Sequence, residues 1–309
     1  MTRETVKKNK KAHSQWLTET GELFRVNRKL FFGTIFVLIF TGLAFLSTMW
    51  APYDPLKFNY IEKFQPPSAA HWFGTDSFGR DVFSRVLNGI PITLITGILA
   101  VFITFLISIP LGLLTGYKGG HIDEIMMRIN DTFMSIPALL MALLLVSARV
   151  SIEQYVELPT FWWVDPYVII AIGFTMAPRT TRVIRSSAIH LKHEEFIDAC
   201  RARGESSVYI VFREMLPNVW PTIIVEAGIR ISYAIIMGAS LSYLGLGASP
   251  PAPAWGLMIY EAKSYLYMSP WPMVFPCVAL SLVIVAFNLL GDGLRDILDP
   301  MSKRALLIG

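Results

Sequence analysis

The chain has 309 residues, of which 53% are hydrophobic and 16% are charged, and its mean hydropathy is +0.50. Soluble domains carry about 25% charged residues and have no need of uncharged runs long enough to cross a bilayer, so a soluble globular protein is excluded and an all-α polytopic membrane protein is predicted. The formal charge of +4 is interpreted as a topology signal rather than a nucleic-acid-binding patch, and no nucleic-acid partner is expected.

Six apolar runs are predicted to span the membrane as helices. The first, residues 30–53, follows a basic N-terminal segment, residues 1–29, and we expect it to remain as an uncleaved span. At about 1.5 Å per residue it forms roughly 36 Å of helix, enough to cross with some tilt. The fourth is the weakest, because it is long enough to cross a bilayer only when flanking residues are included. The predicted spans are Leu30–Tyr53, Pro91–Tyr117, Thr132–Ala148, Pro166–Pro178, Val219–Gly245 and Pro270–Gly291.

The basic residues are unequally divided between the two sides of this predicted bundle. With both termini in the cytoplasm, the inner segments hold 20 of the 27 Lys and Arg residues and the outer segments hold five. The positive-inside rule predicts this asymmetry. We therefore expect the N-terminal segment, the polar stretch 188–217 and the tail 293–309 to be cytoplasmic.

The first outer segment, residues 54–90, begins as a Pro-rich loop and continues as TDSFGRDVFSRVL. Apolar residues recur there at helical spacing, and Asp76 or Ser77 can cap a helix, so we predict a short helix at the membrane surface. Its charges of alternating sign have two interpretations of equal weight, internal ion pairing or a face that docks another protein. The residues concerned are Asp76, Arg80, Asp81 and Arg85.

The polar stretch 188–217 interrupts an otherwise apolar chain. From Ala188 its pattern predicts a helix that ends at Gly204, because glycine accepts the left-handed conformation at a helix C-terminus. Ser206 or Ser207 can cap a second helix, which Pro217 ends or kinks. The second helix is too apolar for a solvated linker, which leaves packing under the protein's own spans and docking to a partner equally open.

The sequence DACRARG, residues 198–204, followed by Leu-Pro at 216–217, resembles the E-A-A-x3-G loop of bacterial ABC importer permeases. In that family the loop is a coupling helix that sits in a cleft of the ATP-binding subunit. The sequence departs from the pattern in three places, with Asp for Glu, Cys for the second Ala, and Glu214 at a usually apolar position. The residues that the resemblance places in the ATPase-coupling loop are Glu195, Asp198, Ala199, Cys200, Gly204, Tyr209, Phe212, Leu216 and Pro217.

Three other segments resemble the dipeptide/oligopeptide/nickel branch of these permeases. They are FGTDSFGRDVFSRVLNG (73–89), ASLSYLGLGASPPAPAWGLMI (239–259) and GDGLRDILDP (291–300). The first is typical of the second of the two permease subunits in that branch, which carries F-G-T-D-x-x-G-R-D in its outer segment. Together with the loop, the resemblance extends from about residue 73 to residue 300.

The resemblance implies a type I ABC importer permease with a five-helix core at 91–292, in the inner membrane of a bacterium. It implies a homologous second permease, two ATP-binding subunits and a periplasmic or lipid-anchored solute-binding protein, which Asp76, Arg80, Asp81 and Arg85 would dock. The sequence contains no G-x-x-x-x-G-K-[ST] phosphate loop. We therefore expect ATP and Mg on partner chains, no cofactor or catalytic residue on this chain, and alternating access for small peptides.

Glu226 and Arg230 lie four residues apart inside the fifth predicted span, on one helix face. A mutual salt bridge is the favoured interpretation, and a contact with a charged substrate in the translocation path is the second. His190 and His193 lack a third ligand, so no metal site is predicted.

A nickel or other small-solute importer remains an alternative, as does, from another class, a self-contained secondary transporter or channel. A scaffold without transport would not need the coupling loop.

Overall fold

A computed structural model describes residues 27–149, 158 and 163–298 of the chain. Helices dominate this part of the chain, and no β-strand is assigned within it, so the all-α prediction is confirmed there. The helices are α1 (Arg28–Met49), α2 (Val82–Lys118), α3 (Gly120–Ser135), α4 (Ala138–Ser147), α5 (Pro166–Leu191), α6 (Glu195–Ala202), α7 (Ser207–Tyr243), α8 (Trp255–Ala262) and α9 (Trp271–Leu298). Residues 1–26 of the predicted N-terminal segment 1–29, and residues 299–309 of the predicted tail 293–309, lie outside the described residues, and the first six residues of that tail belong to α9.

Four helices of the described chain, α1, α2, α7 and α9, are long and apolar enough to cross a membrane, and α3 with α4 makes a fifth if that pair forms one span. The axes of α3 and α4 differ by 89°. The predicted third span, Thr132–Ala148, is therefore wrong as a continuous helix. Pro137 explains the break, because proline disfavours helical geometry in the residue before it, and Ile136 is extended with ψ 130°.

The long helix α2 takes the place of the short surface helix predicted in segment 54–90. It begins at Val82, where the Asp81 side chain accepts a hydrogen bond from the Ser84 backbone N–H at 2.7 Å. It then continues through Pro91 to Lys118, so the expected boundary between residues 90 and 91 is not a structural break.

The residues before α2 form a tight turn rather than the first turn of a helix. Gly79 has a φ of +72°, and Asp76 Oδ1 accepts hydrogen bonds from the backbone N–H groups of Phe78 and Arg80 at 2.8 and 3.0 Å. The predicted helix cap at Asp76 or Ser77 is therefore wrong. Asp76 shapes the turn, and Asp81 caps the helix.

Small residues let α2 and α5 approach closely along much of their length. A Cβ added at Gly112 would lie 2.8 Å from the Thr181 carbonyl oxygen, and one added at Gly116 would lie 2.6 Å from the Ala188 Cβ. Further along the contact, a Cβ added at Gly173 of α5 would lie 2.6 Å from the Ile103 side chain and 2.9 Å from the Ala100 carbonyl oxygen of α2. Close packing at small residues is the usual basis of helix association in membranes, so α2 and α5 form a tightly joined pair.

The last helix, α9, packs between α1 and α7. A Cβ added at Gly228 of α7 would lie 2.7 Å from the Gly291 Cα of α9, and one added at Gly33 of α1 would lie 2.4 Å from the Leu290 backbone nitrogen. These contacts bring three apolar helices together through small residues.

Candidate functional site

The polar stretch between α5 and α7 forms a compact helical loop. Helix α5 continues to Leu191, so Ala188 belongs to the long helix, and the first predicted loop helix is shortened to α6. Glu195 and Asp198 lie in the first turn of α6, where carboxylates interact favourably with the helix dipole. The loop therefore starts later than the sequence pattern predicts and is held close to the end of α5.

Helix α6 has one buried face and one exposed face. Ile197 and Cys200 point inward and are 0% and 2% exposed. Glu195, Asp198 and Ala199 lie on the exposed face. Cys200, which stands where the family pattern has its second alanine, is therefore buried and packs as a small apolar side chain.

Gly204 ends α6 in the way that the sequence predicts. Its φ is +75°, its N–H donates to the Arg201 carbonyl at 2.9 Å, and the Glu205 N–H donates to the Cys200 carbonyl at 3.2 Å. This pair of bonds is a Schellman motif, which satisfies the last carbonyls of a helix and needs a left-handed residue. Ser206 then caps α7 by accepting a hydrogen bond from the Tyr209 N–H at 3.2 Å, as one of the two predicted caps.

Helix α7 runs from the loop into the apolar bundle without ending at Pro217. Residues Ile210–Met215 form a π-helical stretch, in which the Leu216 N–H reaches back to the Val211 carbonyl. The wider turn comes immediately before Pro217, which lacks an N–H to donate. Of the two predicted alternatives at Pro217, an end or a kink of the second loop helix, the end is therefore wrong. Leu216 is half-buried and Pro217 is exposed within one continuous helix.

The first turns of α7 expose a small apolar patch. Val208, Tyr209 and Phe212 are 62%, 41% and 39% exposed. Their neighbours Ile210, Val211 and Met215 are buried. Packing against the protein's own helices is thus confirmed for the three buried residues, and docking of the exposed ones to a partner stays a prediction.

The buried side of the loop packs on the ends of α2 and α5. One hydrophobic cluster includes Leu113 and Tyr117 of α2, Ile184 and Ala188 of α5, Ile197 and Cys200 of α6, and Ile210, Val211 and Met215 of α7. The Arg201 guanidinium lies 5.3 Å from the centre of the Tyr117 ring. The pKa of Arg201 is raised above its ordinary value, first by the neighbouring Tyr117 and then by Asp198.

The charged pair inside α7 is neutralised within the helix. Arg230 donates to Glu226 Oε2 from Nε at 2.8 Å and from Nη2 at 2.6 Å. The Arg230 and Glu226 side chains are only 8% and 13% exposed, so each charge is stabilised by its partner rather than by water. The mutual salt bridge that the spacing favours is thus present.

The charged outer segment forms a buried network. Arg80 donates to Asp76 Oδ2 and to Glu261 Oε2 of α8, each at 2.6 Å. Arg85 lies 3.4 Å from the same Glu261 oxygen and donates to the carbonyls of Pro251 and Ala252, each at 3.3 Å. The two guanidiniums are therefore held by the turn before α2 and by the segment that leads into α8, while Arg85 Nε is a buried donor without a hydrogen-bond partner.

Asp81 belongs to a second part of this network. Its Oδ1 lies 2.9 Å from His71 Nδ1, while its Oδ2 caps α2. Asp76, Arg80, Asp81 and Arg85 are all between 0% and 7% exposed. Internal ion pairing describes this arrangement, and a docking face would need other side chains, because these four do not reach the surface.

Glu261 and Tyr117 are the members of these sites that sequence reasoning misses. Glu261 is a single carboxylate in the mainly apolar α8, and that isolation is the signal that could have pointed to a cationic partner. Tyr117 ends a predicted span, where an aromatic residue is usually assigned to the membrane interface. The described residues contain no group of three or more His, Cys, Asp or Glu side chains that could hold a metal ion.

Several known proteins are similar in sequence to most of this chain. Residues 108–304 match the family described as "Binding-protein-dependent transport system inner membrane component". The glutathione transport system permease protein GsiD of Pectobacterium atrosepticum is 40% identical over 270 residues, which cover 87% of this chain and 86% of that protein. The dipeptide transport system permease protein DppC of Alkalihalophilus pseudofirmus is 36% identical over 292 residues, covering 94% and 92%.

The fold is also similar to a solved transporter. An inward-facing structure of the MetNI methionine ABC transporter has a chain that aligns with a TM-score of 0.52 and 20% identity, covering 72% of this chain and 96% of that one. This likeness concerns the fold alone, whereas the family match and the two permease proteins concern the sequence. The chain therefore belongs to the inner-membrane components of binding-protein-dependent transport systems, as a permease subunit.

Proposed function

We propose that this chain is the permease subunit of an ATP-driven importer of small peptides, with six spans and both termini in the cytoplasm. The peptide class is supported by relatives whose names assign them to glutathione and dipeptide transport. Six spans would comprise the four apolar helices, the bent pair α3 and α4, and α5. The charge asymmetry of the sequence supports this orientation.

The observation that carries the proposal is the apolar patch on the polar loop. Val208, Tyr209 and Phe212 expose apolar surface in a segment that buries alternate residues firmly. Exposed apolar patches rimmed by polar side chains mark protein interfaces. The carboxylates of Glu195 and Asp198 are exposed on α6, the helix that precedes the patch in the chain, and favour a partner surface with basic groups. We assign this surface to an ATP-binding subunit.

In this proposal two ATP-binding subunits hold ATP and Mg, and a homologous second permease completes the pathway. Closure of the ATPases around ATP moves the loop of each permease and switches the spans between inward-open and outward-open states, as rigid-body transitions do. A solute-binding protein delivers the peptide from outside, and ATP hydrolysis resets the cycle. The chain supplies the pathway and the coupling surface rather than the chemistry.

The docking surface is tested by Phe212→Asp in the complex, purified through a tag on this chain. A carboxylate at the centre of the patch would be desolvated by a partner, so we expect at least about tenfold less ATP-binding subunit to co-purify. Arg128→Asp is the control, since it also places an exposed carboxylate, on α3 rather than on α7. Equal recovery of the ATP-binding subunits with Phe212→Asp and with wild type would refute docking at this patch.

The substrate class is tested with the solute-binding partner of the same complex. Native mass spectrometry of that purified protein should detect a bound di- or tripeptide, and reconstituted vesicles should accumulate the same peptide only when ATP is present. A partner that retains nickel or a non-peptide solute would refute the peptide assignment while leaving the permease role in place.

A further inference from the structure

The long helix α2 joins the two ends of the molecule that carry charged side chains. Its 37 residues correspond to roughly 55 Å at 1.5 Å per residue. At one end, Arg85 of α2 is held by Glu261 and by carbonyls of the segment that leads into α8. At the other end, Leu113 and Tyr117 lie in the cluster under the coupling loop. Any displacement of the loop end of α2 therefore reaches residues far from the loop.

The loop contacts α2 through a polar contact as well as through apolar packing. Arg201, the penultimate residue of α6, places its guanidinium 5.3 Å from the Tyr117 ring centre. The Tyr117 ring is 9% exposed and is therefore fixed in the cluster. Arg201 also donates to Asp198 Oδ1 at 2.8 Å, which orients the guanidinium from within α6. The cation is thus held between its own helix and the end of α2.

The other route from the loop to α2 is already rigid. The carbonyl of Arg185 on α5 would lie 2.8 Å from a Cβ added at Gly116 of α2, and Ala188 is closer still. Helices α2 and α5 therefore move together at this end. Helix α6 is separated from α5 by the turn 192–194, so it needs a contact of its own to remain in register with the pair.

We propose that the contact of Arg201 with Tyr117 is the positioning contact that transmits movement of α6 to α2. This inference rests on the proposed coupling function, and it names the two side chains through which the loop acts. Apolar packing of Ile197 and Cys200 holds the loop on the bundle, and the contact of the Arg201 cation with Tyr117 adds an interaction of α6 with one particular side chain of α2. A cation over an aromatic face fixes one position and resists lateral displacement.

The test uses the complete transporter in proteoliposomes with its ATP-binding and solute-binding partners. We expect Tyr117→Leu and Arg201→Gln each to retain the ATP-binding subunits and basal ATP hydrolysis. Each should lower the amount of solute transported per ATP by about five- to tenfold, the range expected for the loss of one coupling contact. Tyr117→Phe keeps the aromatic face and should retain most of the coupling.

Arg203→Gln is the matched control, because it removes a charge from the same end of α6 without touching α2. Arg203 contacts Cys200 and Glu205 instead. The double variant Tyr117→Leu/Arg201→Gln should be no worse than either single variant, since both remove one interaction. A purely structural role would lower the thermal midpoint of the complex and leave the ratio of transport to hydrolysis unchanged.

The remaining outcomes overturn the inference in distinguishable ways. An unchanged transport ratio in Tyr117→Leu would show that packing alone transmits the movement. Loss of the ATP-binding subunits with Arg201→Gln would place this side chain in the docking surface rather than in the link to α2. If no ATP-binding subunit co-purifies with the wild-type protein, the coupling function proposed above is refuted, and so is the role of the contact between Arg201 and Tyr117.

Discussion

Replacing Gly204 by alanine would isolate the backbone contribution to the coupling loop. Gly204 has a φ of +75°, and a Cβ added there meets no atom within 4 Å. Because the added Cβ causes no steric clash, the free-energy cost of the substitution is the intrinsic penalty of the left-handed conformation, about 1–2 kcal/mol for a residue with a Cβ. That penalty lowers the population of the closed turn by a factor of about 5 to 30.

Hydrogen exchange of the intact complex, followed by mass spectrometry, measures this effect directly. The Gly204 and Glu205 N–H groups are protected by their bonds to α6 carbonyls. We expect peptides that cover residues 200–206 to exchange about 5 to 30 times faster in Gly204→Ala than in wild type. Gly204→Asn is the control, because asparagine tolerates the left-handed region better, and it should show a smaller increase.

Gly204→Pro extends the same reasoning to transport. Proline fixes φ near −65° and has no N–H, so the turn loses both its conformation and the bond to the Arg201 carbonyl. We expect ATP hydrolysis to continue while peptide delivery falls. Wild-type exchange rates in Gly204→Ala, or normal delivery by a well-folded Gly204→Pro variant, would refute the role assigned to this turn.

Three further substitutions test the packing and charge of the bundle. Glu226→Gln leaves Arg230 without its carboxylate and should destabilise the protein by about 3 kcal/mol. Glu261→Gln removes the carboxylate shared by the two outer guanidiniums and should cost about 2–3 kcal/mol. Gly228→Val forces a side chain against Gly291 Cα, 2.7 Å from the added Cβ, and should cost about 1–3 kcal/mol. Thermal unfolding in nanodiscs measures all three.

The control for these charge substitutions is Glu124→Gln, which breaks an exposed pair with Arg128 on α3. Exposed pairs contribute about 0–1 kcal/mol, so its thermal midpoint should stay near that of wild type. If Glu226→Gln unfolds no earlier than this control, Arg230 has another partner in the membrane. Gly228→Ala should cost less than Gly228→Val, and equal midpoints for the two would contradict the close contact between α7 and α9.

Features that depend on neighbours in the sequence could be predicted before the structure. Gly204 is a strong stop signal and Ser206 is a strong cap, and both occupy the predicted positions. The spacing of Glu226 and Arg230 likewise implies their pairing, because residues four apart share a helix face. These predictions succeed because the determining contacts lie within about one helical turn.

Features that depend on distant residues could not be predicted in this way. Nothing near Arg80 in the sequence indicates Glu261, which lies 181 residues later in the chain, in α8. The turn before α2 has the same difficulty, since the apolar spacing suits a helix that begins at Asp76 or at Val82. The structure favours the later start because Asp76 is needed for the turn that carries Arg80 into the network.

The ion pairs also indicate which helices move together during transport. A pair on one helix, such as Glu226 with Arg230, travels with that helix and opposes no motion. A pair between helices joins them, because separating it would leave charges unpaired in a region of low dielectric constant. Arg185 of α5 binds Asp123 of α3 at 2.5 Å, and Glu261 binds the guanidiniums next to α2. The ion pairs therefore couple α3 to α5 and α8 to α2, whereas Glu226 with Arg230 couples α7 to no other helix.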